Sequence, residues 1–66
     1  MEAVINGTRE EIEKGTNILE FIKNKGTDPE QVVVEYNGKI LDKSRWADTI
    51  IENDDRLEIL KFVGGG

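Results

Sequence analysis

The chain ends in Gly64-Gly65-Gly66, and that end offers the clearest chemistry in its 66 residues. Elsewhere the side chains exclude more than they offer. There is no cysteine and no histidine. Cys/His zinc sites, Ser-His-Asp and Cys-His nucleophile systems, cysteine persulfides and disulfides are therefore all ruled out. Carboxylates are plentiful and composition leaves an oxygen-only metal site open, but they lack the spacing of an EF-hand loop, and no metal site is expected. What remains is the main chain's own α-carboxylate, on Gly66.

A glycine-rich end has two readings. It can be a frayed terminus that tolerates any composition, although glycine makes up only ~7% of average usage, so three in succession are unlikely by chance. It can also be a tail built to reach. An enzyme that activates a protein's carboxylate must draw it to a nucleotide held in a cleft. Side chains would obstruct that passage, whereas glycine lets main chain approach main chain. Five residues from Phe62 to Gly66 span ~16 Å when extended. The expected division is a folded domain at 1–62 and a flexible reactive tail at 63–66.

The last strand, expected at Leu57–Phe62, leads into that tail. Alternation puts Leu57, Ile59 and Lys61 on one face, and Glu58, Leu60 and Phe62 on the other. With Leu57 and Ile59 assigned to the core, Leu60 and Phe62 become apolar residues on an open face beside the tail. Together with Val63 they form the expected partner-binding surface.

Two Asn-Gly dipeptides mark the elements that must hold this strand. Asn6-Gly7 and Asn37-Gly38 each suit a tight hairpin turn. They predict pairs of Glu2–Ile5 with Thr8–Ile12 and of Val32–Tyr36 with Lys39–Leu41. Between them Ile18, Leu19, Phe21 and Ile22 give one apolar stripe of a helix over Ile18–Lys25. Thr16 or Asn17 is its cap, Glu20 stands where it can return the capping bond, and Gly26 and Pro29 end it. A short helical turn over Ser44–Ile51 is expected to cover one end of the core with Trp46 and Ile50. Asn53-Asp54-Asp55 then turns the chain into the last strand, which is expected to lie beside the first. The fold class is α+β: a mixed sheet of four to five strands with one main helix on one face.

Trp46 is expected to be a packing residue, and Tyr36 to be core or sheet surface. Glu10, Glu11 and Glu13 read as a solvated edge, and Asp54-Asp55 as turn formers. The balance of 14 acidic against 9 basic residues, formal net charge −5, offers no basic cluster for nucleic acid. No apolar run approaches the ~20 residues of a membrane span, and no basic segment followed by an apolar stretch opens the chain. The expected location is cytoplasmic.

The opening strand to Asn6, the helix around Leu19 and Ile22, and Val34-Glu35-Tyr36-Asn37-Gly38-Lys39-Ile40-Leu41 resemble the ThiS family, the sulfur carriers of thiamine (thiazole) biosynthesis. So do Trp46, nine residues after Asn37, Asp55-Arg56-Leu57-Glu58-Ile59, and the ending Phe62-Val63-Gly64-Gly65-Gly66. The resemblance covers the whole chain and implies a ubiquitin-like β-grasp fold. It implies no enzyme activity and no bound cofactor. The reaction cycle it implies instead is one in which an adenylating enzyme similar to ubiquitin-activating enzymes uses ATP on the carboxylate of Gly66. Sulfur from a cysteine desulfurase relay displaces AMP to leave a thiocarboxylate, and a thiazole synthase takes the sulfur. Gly65 and Gly66 match the family motif, whereas Gly64 is often another residue in relatives. Asn53-Asp54 replaces a turn that commonly carries glycine. The small subunit of molybdopterin synthase, another thiocarboxylate donor, and a ubiquitin-like modifier joined to target lysines are the alternatives. A plain interaction module with an idle tail is a further one.

Overall fold

The computed structural model describes residues 1–62. Its order is β1 (Glu2–Ile5), β2 (Thr8–Glu11), α1 (Ile18–Asn24), a 3-10 helix at Pro29–Gln31, β3 (Val32–Tyr36), β4 (Lys39–Leu41), a second 3-10 helix at Lys43–Asp48, and β5 (Arg56–Lys61). The five strands form one sheet in the order β2-β1-β5-β3-β4. Both hairpins are antiparallel, and β5 enters between them, parallel to β1 and antiparallel to β3. The last strand is therefore the centre of the sheet as well as the neighbour of the first.

The turns behave as their residues dictate. Asn6 and Asn37 both take φ 50, followed by Gly7 at 84 and Gly38 at 89, the left-handed pair that a two-residue hairpin turn requires. Asp54 takes φ 68 in the turn before β5, so an aspartate supplies the left-handed residue there. The helix starts with a complete capping box: the Asn17 side chain accepts from Glu20 N at 2.8 Å, and Glu20 returns a bond to Asn17 N. Thr16 is not the cap; its hydroxyl donates to Glu13 O. The helix is capped by Lys25, and Gly26 follows at φ 76.

The core lies between α1 and one face of the sheet. Ala3 and Ile5 of β1, Val32 and Val34 of β3 and Leu57 of β5 meet Ile18, Phe21 and Ile22 of α1, with Leu19 and Ile59 partly buried around them. Trp46, 2% exposed, closes one end and donates its indole N–H to Leu41 O at 3.1 Å. Among the described residues no polar or charged residue is buried.

One packing expectation is corrected. Ile50 is 44% exposed and Ile51 is the buried residue, at 1%. The helical turn stops at Asp48, and the chain beyond it is extended. It bridges Asn17 across from Ile50, with Ile18 N donating to Thr49 O and Ile51 N to Thr16 O. In extended chain neighbours point to opposite sides, so once Ile51 enters the core Ile50 cannot.

Candidate functional site

Val63, Gly64, Gly65 and Gly66 lie outside the described residues. The structure bears on the strand that leads to them. β5 pairs with β3 from Val32↔Lys61 to Tyr36↔Leu57, and Phe62 N still donates to Gln31 O at 3.0 Å. Main-chain bonding thus runs as far as Phe62, whose partner is the end of the 3-10 turn that leads into β3. On the other side β5 pairs with β1 only at Val4↔Arg56 and Ile5↔Leu57. Beyond that, the side chain of Asn6 takes over as acceptor for Ile59 N, at 2.7 Å.

The alternation in β5 follows the expected parity. Leu57 is 1% exposed and Ile59 is partly buried against the core, whereas Leu60 and Phe62 are 50% and 45% exposed. Leu60 stands directly opposite Val33, so the two share the open face of the sheet. A third large apolar residue on that face, Ile40, was not among the expected ones. It is 65% exposed and stands opposite Glu35 in β4. The signal for it was available in the alternation of Lys39-Ile40-Leu41, where Leu41 packs inward. Leu60, Val33 and Ile40 thus lie on the open face of the sheet, on the side away from the helix.

Charge is distributed unevenly across the same face. Glu35 and Glu58 are directly opposed between β3 and β5. Arg9 is occupied elsewhere: it bonds Glu2 at 2.9 Å and Asp54 at 2.5 Å, and those hydrogen bonds, first to Asp54 and then to Glu2, raise its pKa further. At the other end of β5, Asp55 organises the entry turn. Its Oδ2 accepts from Tyr36 Oη at 2.6 Å and from Glu52 N at 2.8 Å, and its Oδ1 accepts from Asn37 Nδ2 at 3.1 Å. Burial, then the bond to Asp55, pushes the Tyr36 phenol up to about 12. These groups hold the strand in place and stay away from its exit.

Among the described residues no three Asp or Glu side chains converge as metal ligands. No helix among them is long and apolar enough to cross a membrane. The arrangement offers a central strand bonded on both sides and an open face that carries Leu60 and Ile40 beside the opposed Glu35 and Glu58.

The model of the ThiS family matches residues 3–66. Thiazole synthases of Magnetococcus marinus and Paramagnetospirillum magneticum are 30% and 35% identical over all 66 residues, which correspond to 20% of each of those proteins. The chain thus spans about one fifth of the length of the curated relatives it matches first. The crystal structure of a thiamine biosynthesis protein (ThiS) from Geobacter metallireducens superposes with a TM-score of 0.82 at 31% identity, covering all of both chains. The β-grasp fold and the match across nearly every residue agree: this chain belongs to the ThiS family, whose members are non-catalytic sulfur carriers of thiamine biosynthesis.

Proposed function

We propose that this chain carries sulfur on its C-terminal carboxylate and delivers it for thiazole synthesis. An adenylating enzyme similar to ubiquitin-activating enzymes joins the carboxylate of Gly66 to AMP, releasing pyrophosphate from ATP. Sulfur drawn from a cysteine desulfurase relay displaces AMP and leaves a thiocarboxylate. A thiazole synthase then accepts the sulfur. Gly64 and Gly65 form the slender approach that lets Gly66 reach a buried nucleotide. The setting is the cytoplasm.

The observation that carries this reading is the family match running to residue 66, over an ending of Gly64-Gly65-Gly66. The exposed Leu60 and Phe62, beside Val63 at the root of the tail, support docking on the adenylating enzyme. Thiazole synthase is favoured as the sulfur acceptor because this chain resembles one fifth of two thiazole synthases. Segments joined in one protein commonly work on one another.

The test is the intact mass of the protein after incubation with the adenylating enzyme, ATP and a sulfur source. Replacement of one oxygen by sulfur, lost again on adding thiazole synthase and its substrates, is the expected result. Adducts joining Gly66 to other proteins would make this chain a modifier instead. An unchanged mass would leave an idle tail.

A further inference from the structure

We propose that Asn6-Gly7 is a site of spontaneous covalent modification in the folded protein, losing the Asn6 side-chain amide by cyclisation, while the identical pair Asn37-Gly38 is protected by Asp55.

The chemistry needs only water. The main-chain nitrogen of Gly7 gives up its proton and bonds to Cγ of Asn6. The Cγ–Nδ2 bond then breaks, and Nδ2 leaves as ammonia. Water opens the resulting five-membered imide at one of its two carbonyls, giving aspartate or isoaspartate at residue 6. No oxidant or reductant enters. Glycine in the following position matters because it has no Cβ to shield the attacking nitrogen.

The two turns are alike in most respects that govern this reaction. Both asparagines are exposed and sit at φ 50. A Cβ placed on Gly7 or Gly38 would meet nothing within 4 Å beyond the adjoining residues, so both turns project into open space. Each asparagine Oδ1 accepts a main-chain N–H of β5: Asn6 from Ile59 at 2.7 Å, Asn37 from Arg56 at 2.8 Å. That bond anchors the side-chain oxygen of each asparagine in the same way, so any strain on it during attack is common to both sites.

Nδ2 separates them. At Asn37 it donates to Asp55 Oδ1 at 3.1 Å, and Asp55 is fixed in turn through Oδ2 by Tyr36 and by the main chain of Glu52. Turning the Asn37 amide toward Gly38 breaks a bond to an ionised acceptor, and the acid so produced would set a second carboxylate beside Asp55. At Asn6 no group among the described residues holds Nδ2, and a carboxylate there would accept from Ile59 N more strongly than the amide does. The consequence reaches the working strand. Isoaspartate at residue 6 adds a methylene to a two-residue turn and withdraws the acceptor from Ile59, the neighbour of Leu60.

The experiment follows both sites by peptide mapping of the full chain, kept folded in mildly alkaline, ammonia-free buffer, with a parallel sample in denaturing urea. In the folded sample residue 6 should convert roughly tenfold faster than residue 37, the ratio expected from one extra bond to a charged acceptor. In urea the two rates should converge. Conversion of residue 37 as fast as residue 6 in the folded chain overturns the proposal. So does a folded chain that converts at neither site while the unfolded chain does. A rate difference that persists undiminished in urea assigns the effect to neighbouring residues and overturns the protective role of Asp55.

Discussion

Tyr36 Oη donates to Asp55 Oδ2 at 2.6 Å, and this bond ties the end of β3 to the turn from which β5 starts. The same oxygen accepts from Glu52 N, and Asn37 Nδ2 binds the other. One carboxylate therefore joins the second hairpin to the entry of the central strand. A half-buried phenol beside a carboxylate resists ionisation, since the charge would be both poorly hydrated and repelled.

The first prediction follows from that resistance. The pKa of Tyr36 lies above its ordinary value of 10.0, at about 12 in the folded chain. The unfolded chain therefore releases this proton first as pH rises. The contribution of Tyr36 to stability is whole below about pH 10 and is lost as pH climbs toward about 12. Tyr36→Phe should lower stability at neutral pH by ~1.5–3 kcal/mol, the range for a hydrogen bond to a charged group. It should also flatten the alkaline fall. Urea midpoints from pH 7 to 12 measure both, and an unchanged alkaline profile in the variant would remove Tyr36 as the group responsible.

Trp46 supplies the second. It is 2% exposed and caps one end of the core, with its N–H satisfied by Leu41 O. Removing a buried tryptophan side chain costs ~3–5 kcal/mol. A chain of this size has only ~3–10 kcal/mol in all. Trp46→Ala should be largely unfolded at 37 °C, and Trp46→Phe folded with a lowered melting temperature. Circular dichroism decides it; a Trp46→Ala protein melting like the parent would show that the end of the core is closed by something else.

How far the sequence alone carried can be judged from particular residues. Both hairpins were legible because Asn-Gly has a local preference strong enough to survive any context, and the face of β5 was legible because two-residue alternation requires only that a strand exists. Local signals failed where the outcome depends on distant pairing. Ile50 and Ile51 exchange roles because Asn17, far away in sequence, captures this segment as extended chain. Pro29 was seen only as a stop, although Asp28 before it caps a new 3-10 turn, its side chain accepting from Glu30 N at 2.9 Å. Tyr36 and Asp55 lie nineteen residues apart, and nothing short of the sheet register brings them together. The reactive tail expected from composition at 63–66 lies outside the described residues.

Glu35 and Glu58 yield a third prediction. They are opposed across β3 and β5, and neither joins an ion pair among the described residues. Like charges placed so cost roughly 0.2–1 kcal/mol. Glu58→Gln should raise the melting temperature at low salt, and the gain should shrink at high salt as the repulsion is screened. A lowered melting temperature would mean that the carboxylate makes a favourable contact in the folded chain.

The open face gives a fourth, which rests on the proposed docking. Leu60, Phe62 and Ile40 are exposed at 50%, 45% and 65%, so their loss should leave the fold within ~0.5 kcal/mol of the parent. A charge forced into an apolar contact is costly. Leu60→Asp and Phe62→Asp should each raise KM for the adenylating enzyme by roughly tenfold, the mark of an interface residue worth ~1.4 kcal/mol. Ile40→Asp tests how far the patch extends. KM values at the parental level for all three would place docking on another surface, whereas unfolding of the Leu60 and Phe62 variants would make them core residues.

The last prediction concerns the carboxylate itself. In the proposed cycle, adenylation makes a mixed anhydride at the terminal carbonyl carbon, and sulfur then replaces AMP at that same carbon. The reaction depends on where that carbon is delivered, and the strand that delivers it is fixed. β5 is bonded into the centre of the sheet, and Phe62 N is still held by Gln31 O. With the start of the tail set, its reach depends on the number of residues that follow. Deleting Gly66 shortens it by ~3.5 Å, whereas a reacting constellation tolerates only ~0.5 Å. Appending one residue with a side chain moves the carboxylate the other way and adds bulk to a passage suited to glycine. The buried residues, from Ala3 to Leu57, are untouched by either change, so the melting temperature should stay at the parental value. ATP–pyrophosphate exchange with the adenylating enzyme should be abolished in both variants. Full exchange by a protein lacking Gly66 would show that the reacting group is not this carboxylate, and the sulfur-carrier mechanism assigned to the tail would have to be abandoned.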